Sequence, residues 1–362
     1  MISIMYSEAK KKIPTSRIIL FILLGLIVFI IGFFVFIIIT DFKPEDRTVV
    51  EMTSADKVID KTEGLTITTL NMGYGGLDDN QDFFMDGGKG VNPSSEEKVR
   101  ENIAACDELA GLFESDFVFI QEIDKNSSRT YHIDETELMM KSYVTRCYAQ
   151  NHVCKWIPYP LPMIGKVDSG IMTFANYKST GAERISLPNP YSWPKEMFMF
   201  DRCLLVNRFP IAGSDKELVL INLHFDAYSN NSSKTKQMKA LMKFAKEEYA
   251  KGNYVVAGGD FNMSFPKAEK KLKQIEGSKI WRPGTMTDDM IPKNWKFCYS
   301  KDTPTCRSLD KPYTDDEGHQ LYIIDGYIIS PNVSCDYLFT VDGNFRHTDH
   351  NPVYMKFSLK QE

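Results

Sequence analysis

The chain has 362 residues, of which 43% are hydrophobic and 25% charged. These values are close to the globular average, so they predict a sizeable packed core and exclude a generally disordered chain. The formal net charge of −5 argues against a general polyanion-binding surface, although a locally basic groove is compatible with it.

An uncharged apolar run occupies residues 18–39. As a helix it would reach roughly 33 Å, enough to cross a bilayer core of roughly 30 Å. We therefore predict a transmembrane helix rather than a core helix, which is rarely apolar on every face. A cleaved signal peptide is the stronger alternative, but it usually has a shorter apolar region, and no Ala-x-Ala cleavage site follows here. We expect an uncleaved signal anchor.

The charges that flank this run predict its orientation. The residues after it are of mixed sign, whereas four basic residues precede it: Lys10, Lys11, Lys12 and Arg17. By the positive-inside rule, residues 1–17 form a cytoplasmic tail and the rest of the chain lies outside the cytoplasm. Residues 40–63 are polar and aperiodic, which is typical of a tether. Residues 64–362 are expected to form one large domain.

Within that domain, short runs with the composition of strands recur. They cover residues 65–70, 117–120, 170–175, 203–208, 218–223, 254–257, 322–324, 327–329 and 353–359. Two segments carry helical periodicity instead. The first starts at a capping box of Ser94 and Glu97 and continues to Phe113, and the second follows Ser232 or Ser233 and ends before Gly252. Strands separated by such helices predict a layered α/β or α+β fold.

Four long polar, glycine-rich or proline-rich stretches lie between these elements. They are residues 73–93, 156–168, 188–202 and 281–312. Connections this long in a compact domain tend to be functional, so we expect them to determine substrate choice.

The seven cysteines include no C-x-x-C pair, which excludes a zinc ribbon and a thioredoxin motif. In an outward-facing domain, Cys147 with Cys154 and Cys298 with Cys306 could form short-loop disulfides, but spacing leaves the pairing open.

Polar residues recur just past the ends of the predicted strands. Each has an ordinary explanation as a turn, cap or solvated strand end when taken singly. Together they form an ordered series: Asn71, Glu122, Ser169, His224, Asp260, Asn262, Asp325, Asp349 and His350. By contrast, His132, His152 and His319 stand outside this series and are expected at the surface. Walker A, dinucleotide-binding and serine-elbow patterns are missing from the sequence.

The ordered series lies in seven short pieces of sequence. They read TTLNMG, FIQEID, SGIMTF, INLHFDAY, GGDFNM, IIDGYIIS and TDHNPVYMKF. The series resembles the endonuclease/exonuclease/phosphatase superfamily over nearly all of the chain from residue 65 onward. The resemblance implies a two-sheet, four-layer α/β sandwich with the site at one edge, and a divalent cation, usually Mg²⁺ or Mn²⁺.

The resemblance also implies a role for each matching residue. Asn71, Glu122 and Asp349 would bind the metal. Asp260 would orient or deprotonate the attacking water, with His224 and Asn262 on the phosphate. His350 would contact the phosphate or transfer a proton beside Asp325, and Arg202 and Ser169 are further candidates for substrate binding. Gly326 departs slightly from the pattern, because many relatives have an aromatic or basic residue there.

Elementary chemistry is consistent with these roles. Mg²⁺ prefers oxygen ligands and needs only one or two protein carboxylates, while an aspartate can hold the attacking water. A carboxylate such as Asp325 or Asp349 would fix the tautomer of His350.

The superfamily includes nucleases, sphingomyelinases and inositol-phosphate phosphatases, so the fold does not identify the substrate. The presence of a histidine in INLHFDAY resembles the deoxyribonuclease, sphingomyelinase and inositol-phosphatase branches of the superfamily. Our leading hypothesis is a membrane-anchored phosphodiesterase that acts on nucleic acid outside the cytoplasm. The alternative is hydrolysis of a phospholipid head group, which the membrane tether favours. A non-catalytic receptor is disfavoured because every expected position is filled, and no protein partner is inferred.

Overall fold

A computed structural model describes residues 14–268, 272–275, 280–315 and 318–360. The basic residues Lys10, Lys11 and Lys12 of the predicted tail lie outside the described residues. The chain forms two compact units, which meet between Asp41 and Phe42.

The first unit contains helix α1 (Thr15–Thr40), which begins three residues before the predicted span and ends one residue after it. Its 26 residues would reach about 39 Å at about 1.5 Å per residue. The helix is therefore long and apolar enough to cross a membrane, although a signal sequence would satisfy the same criterion.

The second unit contains two further helices and eighteen described strands. The helices are α2 (Glu96–Gly111) and α3 (Asn231–Ala250). The strands are β1 (Arg47–Val49), β2 (Met52–Thr53), β3 (Leu65–Asn71), β4 (Phe117–Asp124), β5 (Thr145–Ile157), β6 (Gly165–Ala175), β7 (Gly181–Ser186), β8 (Cys203–Pro210), β9 (Glu217–His224), β10 (Tyr254–Asp260), β11 (Met263–Ser264), β12 (Gly284–Thr285), β13 (Lys296–Cys298), β14 (Cys306–Arg307), β15 (Leu321–Tyr322), β16 (Asp325–Ile329), β17 (Val333–Thr340) and β18 (Val353–Leu359).

Most of these strands belong to two mixed seven-stranded sheets. One has the order β17-β18-β3-β4-β6-β5-β2 and the other β1-β7-β8-β9-β10-β16-β13. Within the two large sheets, β3 with β4 and β9 with β10 are the parallel pairs among the described strands. Each parallel pair is joined through a crossover that contains a helix, as parallel pairing requires.

The sheets pack face to face through apolar side chains. Ile67 and Phe119 of one sheet lie in the same buried cluster as Leu220 and Val256 of the other. A second cluster lies between the outer face of one sheet and α3, and a third between the other sheet and α2. The four layers confirm the predicted α/β sandwich.

The two predicted helices are present, but their capping residues differ from the prediction. Ser95, not Ser94, caps α2 by accepting a hydrogen bond from the Lys98 N–H. Asn230, not Ser232 or Ser233, caps α3 by accepting from the Ser233 N–H. Serine and asparagine side chains can both accept a hydrogen bond from an unpaired N–H of the first helical turn, so residue type alone did not show which of several adjacent residues is the cap.

The predicted strands are largely confirmed, with one exception. The segment 322–324 is not one strand, because β15 ends at Tyr322 and β16 begins at Asp325. Nine of the described strands were not predicted: β1, β2, β5, β7, β11, β12, β13, β14 and β17. The alternating pattern of β5 is interrupted where its register with β6 shifts between Gln150 and His152, and such irregularities hide a period of two.

Candidate active site

Sheet register alone brings three of the predicted side chains together. Asp260 ends β10 and is paired with His224 on β9 and with Asp325 on β16. In the facing sheet, Asn71 ends β3 and is paired with Gln121, the residue before Glu122. All of these positions lie where the central strands of the sandwich end.

Glu122 reaches the site because β4 is irregular at this point. The register of β4 with β6 shifts between Gln121 and Ile123, so Glu122 has no partner residue in β6. Its φ of 51° lies in the left-handed region, which is strained for a residue with a side chain. A bulge of this kind redirects a side chain away from the regular alternation.

Asn71 connects the two sheets at the site. Its Nδ2 donates to Glu122 Oε1 at 3.2 Å and to Asp260 Oδ2 at 3.1 Å, and its Oδ1 accepts from the Gly73 N–H at 3.0 Å. The side chain is buried. It therefore holds one carboxylate from each sheet in a fixed relation.

Asp260 is at the centre of the hydrogen-bond network. Its Oδ2 lies 3.3 Å from His224 Nε2, and its Oδ1 accepts from the Asn262 N–H at 2.8 Å. Burial alone would raise the pKa of Asp260, but His224 and the nearby His350 hold that pKa well below its ordinary value. Asp260 is therefore ionised at any working pH.

The second acid–histidine pair consists of Asp325 and His350. Asp325 Oδ2 lies 2.9 Å from His350 Nδ1, and His350 Nε2 lies 3.8 Å from Asp260 Oδ2 and 3.9 Å from Asp349 Oδ2. Burial would lower the pKa of His350, but the charge of Asp325 outweighs it, and the pKa is raised well above its usual range. Burial also raises the pKa of Asp325 and that of Asp349 to about 6.

A cavity of about 450 Å³ opens onto this cluster. The four long stretches singled out in the sequence all contribute walls to it. They provide Tyr74, Phe83, Phe84, Met85 and Asp86; Ile157, Pro158, Tyr159 and Ile164; Phe198, Phe200 and Arg202; and Trp281, Cys306, Arg307 and Leu309. Most of these side chains are apolar or aromatic, so the cavity has apolar walls above a floor of acidic residues and histidines.

Arg202 lies in the cavity as a buried cation. Its guanidinium carbon sits 3.7 Å from the ring centre of Phe200, and its Nε and Nη1 have no hydrogen-bond partner among the described residues. Burial lowers the pKa of Arg202, while the acids nearby oppose that effect. An unpaired buried donor of this kind is suited to an anionic ligand.

Two of the three histidines expected at the surface are buried. His152 lines the cavity, stacks on Phe200 with ring centres 4.0 Å apart, and shares a 3.2 Å hydrogen bond with the Phe198 carbonyl. Burial lowers the pKa of His152 to about 3, so it is neutral. His319 is held between two backbone carbonyls, and only His132 is exposed.

The side chains of Ser169 and Asn262 donate hydrogen bonds to backbone carbonyls of the protein itself. The Ser169 hydroxyl donates to the Ile123 carbonyl at 3.4 Å, next to the Glu122 bulge, and Ser169 is not among the residues that line the cavity. The Asn262 Nδ2 donates to the Phe225 carbonyl at 2.9 Å. The substrate roles of both residues stay predictions.

The cluster has the donor atoms of a divalent-metal site. Asp260, Asp325 and His350 bring one potential ligand atom each within 4.8 Å of one another, and so do Cys306, Asp349 and His350. Burial raises the pKa of Cys306 to about 12, so it remains a thiol, and Mg²⁺ and Mn²⁺ favour oxygen donors. Asp325 Oδ1 is buried without a partner among the described residues. A buried cluster with many carboxylate oxygens and too few positive charges to balance them is suited to a hard cation such as Mg²⁺ or Mn²⁺.

Sequence reasoning missed Asp86, Tyr228 and Arg307. Asp86 shares a hydrogen bond with Tyr228, and burial together with the charge of Asp349 raises the pKa of Asp86 to about 8. Arg307 donates to backbone carbonyls of the 73–93 segment, including that of Asp78. The sequence signal for Asp86 and Arg307 was their membership of the long stretches 73–93 and 281–312, whereas Tyr228 is the last residue of the piece INLHFDAY.

Comparison with known proteins identifies the fold. No family model matches the chain, and no curated protein matches it. Solved structures do match. Over 82% of its length the chain is similar to an endonuclease/exonuclease/phosphatase from Beutenbergia cavernae DSM 12333, with 14% identity, 72% of that chain covered and a TM-score of 0.54.

Two further structures give the same result. An endonuclease/exonuclease/phosphatase from Bacteroides vulgatus has 15% identity and a TM-score of 0.51, with 83% of this chain and 100% of that chain covered. A functionally unknown conserved protein from Enterococcus faecalis V583 has 16% identity and a TM-score of 0.50, with 82% and 100% covered. At such identities the likeness concerns the fold alone. The chain has the endonuclease/exonuclease/phosphatase fold, as the resemblance predicted.

Proposed function

We propose that the second unit is a divalent-metal-dependent phosphoester hydrolase. The observation that carries this proposal is the convergence of two acid–histidine pairs, Asp260 with His224 and Asp325 with His350, on the floor of one cavity. Neutralising a phosphate while holding a water molecule requires cationic donors and a carboxylate side by side. The fold is also the one found in the endonuclease/exonuclease/phosphatase structures described above.

Asp260 is proposed to orient the attacking water. Its pKa lies well below the ordinary value, so it has little drive to remove a proton but remains a strong hydrogen-bond acceptor. Of the two roles predicted from the resemblance, orientation is therefore favoured over deprotonation. Asn71 supports this by fixing the position of the Asp260 carboxylate.

His350 is proposed to stabilise the phosphate charge and to protonate the leaving oxygen. The imidazole is paired at Nδ1 with Asp325, which leaves Nε2 as the donor toward the cavity. A raised pKa keeps this histidine cationic near neutral pH. Arg202 is proposed to donate hydrogen bonds to the other phosphate oxygens through its unpaired guanidinium atoms. The predicted roles of His224 and Asn262 on the phosphate require their present contacts with Asp260 and with the Phe225 carbonyl to give way.

Glu122 and Asp349 are proposed to hold Mg²⁺ or Mn²⁺, and Asn71 would join them through Oδ1, the atom that here accepts from the Gly73 N–H. Glu122 and Asp349 are close enough for the charge of Glu122 to contribute to the raised pKa of Asp349, as expected of carboxylates that share a cation. The ion would offset negative charge that develops on the phosphate. The chain's own residues supply the remaining functions.

The cavity favours an amphiphilic phosphoester over a nucleic acid. Its walls include Phe84, Tyr159 and Trp281, and apolar walls are better suited to an organic substituent than to the backbone of a polyanion. Helix α1 would keep the domain at a membrane surface, outside the cytoplasm if the flanking charges act as predicted. The nucleic-acid hypothesis stays a prediction and belongs in the same test.

The test uses the full-length protein in detergent with Mg²⁺, supplied separately with plasmid DNA, RNA, sphingomyelin, phosphatidylcholine and inositol phosphates. We expect hydrolysis of a phospholipid, and loss of that activity with EDTA, in Glu122→Ala and in His350→Ala. Circular dichroism should remain unchanged in both variants. Hydrolysis of nucleic acid alone would reverse the substrate preference. Inertness toward all classes, together with no Mg²⁺ binding by calorimetry, would instead support a non-catalytic receptor.

A further inference from the structure

Asp86 is a buried acid that the reaction proposed above does not use. It ends a single 3-10 turn (Phe84–Asp86) in the connection between β3 and α2, and only 8% of its surface is exposed. The side chain lines the cavity, and its Oδ1 has no hydrogen-bond partner among the described residues. A carboxyl in such a place is costly unless it serves a ligand.

Three cations close to this wall of the cavity are committed elsewhere. Lys234 Nζ lies 5.4 Å from the centre of the Trp281 ring and donates to the carbonyls of Ala227 and Asn262. Arg129 pairs with Asp124 at 2.9 Å and lies over the ring of Tyr74 at 3.6 Å. The Arg307 guanidinium donates to backbone carbonyls, the shortest of these bonds being 2.6 Å to that of Asp78. No described salt bridge of either arginine includes Asp86, so a cation that complements Asp86 would have to come with the ligand.

Two aromatic side chains lie beside the acid. Tyr228 is close enough to lower the pKa of the Asp86 carboxyl. Trp281 is fixed beside it, because its backbone N–H donates to the Asp86 carbonyl at 3.4 Å and its indole N–H donates to the Ala227 carbonyl at 2.9 Å. Phe84 also lines this part of the cavity.

The chemistry of this wall discriminates between two kinds of cation. Mg²⁺ or Ca²⁺ would require several oxygen ligands and bound water, which an aromatic wall with one carboxyl does not provide. An organic ammonium group, by contrast, is stabilised by aromatic faces together with a single negative charge. Its positive charge would in turn favour the ionised form of Asp86, whose pKa is otherwise raised by burial.

We propose that Asp86, Tyr228 and Trp281 bind the ammonium group of the substrate, which is therefore a phosphodiester of an amino alcohol such as choline or ethanolamine. This inference rests on the proposed phosphoester hydrolase and specifies its substrate. The subsite lies on the side of the proposed metal ligands and of His350, because the charges of Asp349, Glu122 and His350 act on Asp86.

The reaction adds one water molecule across a phosphoester bond. The water oxygen forms a new bond to phosphorus, and the bond from phosphorus to the apolar alcohol breaks. One proton of the water ends on the leaving alcohol, and the phosphorylated amino alcohol remains between Asp86 and the acid–histidine floor until it is released. No oxidant or further co-reactant is needed.

The test compares two chromogenic diesters with the full-length protein in detergent and Mg²⁺. One is p-nitrophenyl phosphocholine, and the other is p-nitrophenyl 3,3-dimethylbutyl phosphate, which replaces the quaternary nitrogen by carbon. We expect wild-type kcat/KM to favour the cationic probe by at least about tenfold, the size of a desolvated cation–aromatic and charge contact. Asp86→Asn should bring that preference close to one, and Tyr228→Phe should reduce it partly.

Asp289→Asn is the matched control, because it makes the same charge change at an exposed position outside the cavity. It should retain the wild-type preference. A wild-type preference near one, or the same preference in Asp86→Asn as in the wild type, would overturn the cation subsite. If neither probe reacts while another phosphoester does, the subsite is wrong and the hydrolase proposal stands. If no phosphoester reacts, both are wrong.

Discussion

Replacing Asp325 by Asn tests how the acid–histidine pair works. Asparagine has nearly the same shape, and its oxygen can still accept a hydrogen bond from His350 Nδ1, so the main loss is one negative charge. Asp325 Oδ2 lies 2.9 Å from Nδ1, closer than the oxygens of Asp260 and Asp349 lie to Nε2. The variant should therefore lower the pKa of His350 and leave it neutral over more of the working pH range.

The expected loss follows from that distance. At 2.9 Å and an effective dielectric constant of about 20, the attraction is about 6 kcal/mol. Desolvation offsets part of it, and a loss of about 3 kcal/mol would lower kcat about a hundredfold. Steady-state kinetics at saturating Mg²⁺ on the substrate found in the screen measure this change, with Asp289→Asn as the charge-matched control.

The reasoning about Asp325 would be refuted by a folded variant whose kcat stays within about threefold of the wild-type value. Folding would be checked by circular dichroism and by an unchanged affinity for Mg²⁺. A loss confined to KM would also contradict it, because the charge of Asp325 is proposed to act in the transition state and not on ground-state binding.

Three further predictions concern stability, thiols and the anchor. Arg208 and Lys251 outweigh the effect of burial and lower the pKa of Glu248 to about 2, so the stabilisation by Glu248 is complete above its unfolded pKa and is lost as pH falls toward 2. Glu248→Gln should therefore lower the free energy of unfolding by about 1–3 kcal/mol at pH 7 and by much less at pH 3, as measured by urea titration. An equal loss at both pH values would contradict this. All seven cysteines are free thiols, and Cys298 and Cys335 lie close enough to change each other's pKa. Mild oxidation should therefore link these two and not the pairs suggested by sequence spacing, and peptide mass mapping that finds another pair would contradict this. The full-length protein should resist alkaline carbonate extraction from membranes through α1, whereas a soluble, shortened product would indicate a cleaved signal sequence.

The sequence predicted best those features that depend on neighbouring residues. Polar residues directly after apolar strands, such as His224 and Asp260, could be located because strand and site are contiguous in the chain. The pairing of the two strands then places these residues opposite each other. The two helices were predicted for the same reason, since their periodicity is local.

Features that depend on distant contacts could not be predicted in this way. Nothing in FIQEID indicates that Glu122 takes a φ of 51° at a bulge. His152 lies in a strand whose alternation is broken, and it is buried against Phe200 from another part of the chain. Asp86 and Tyr228 meet only after two separate connections have folded over the site.

The central claim is that water attacks phosphorus in a metal-dependent reaction at the Asp260 and His350 floor. It is tested most directly by running the hydrolysis in ¹⁸O-labelled water and following the phosphorus product by ³¹P NMR. We predict one ¹⁸O atom on the phosphorus of the product with Mg²⁺ present, and no product with EDTA or in His350→Ala. Label that appears only in the alcohol, or turnover that persists in EDTA, would contradict the account.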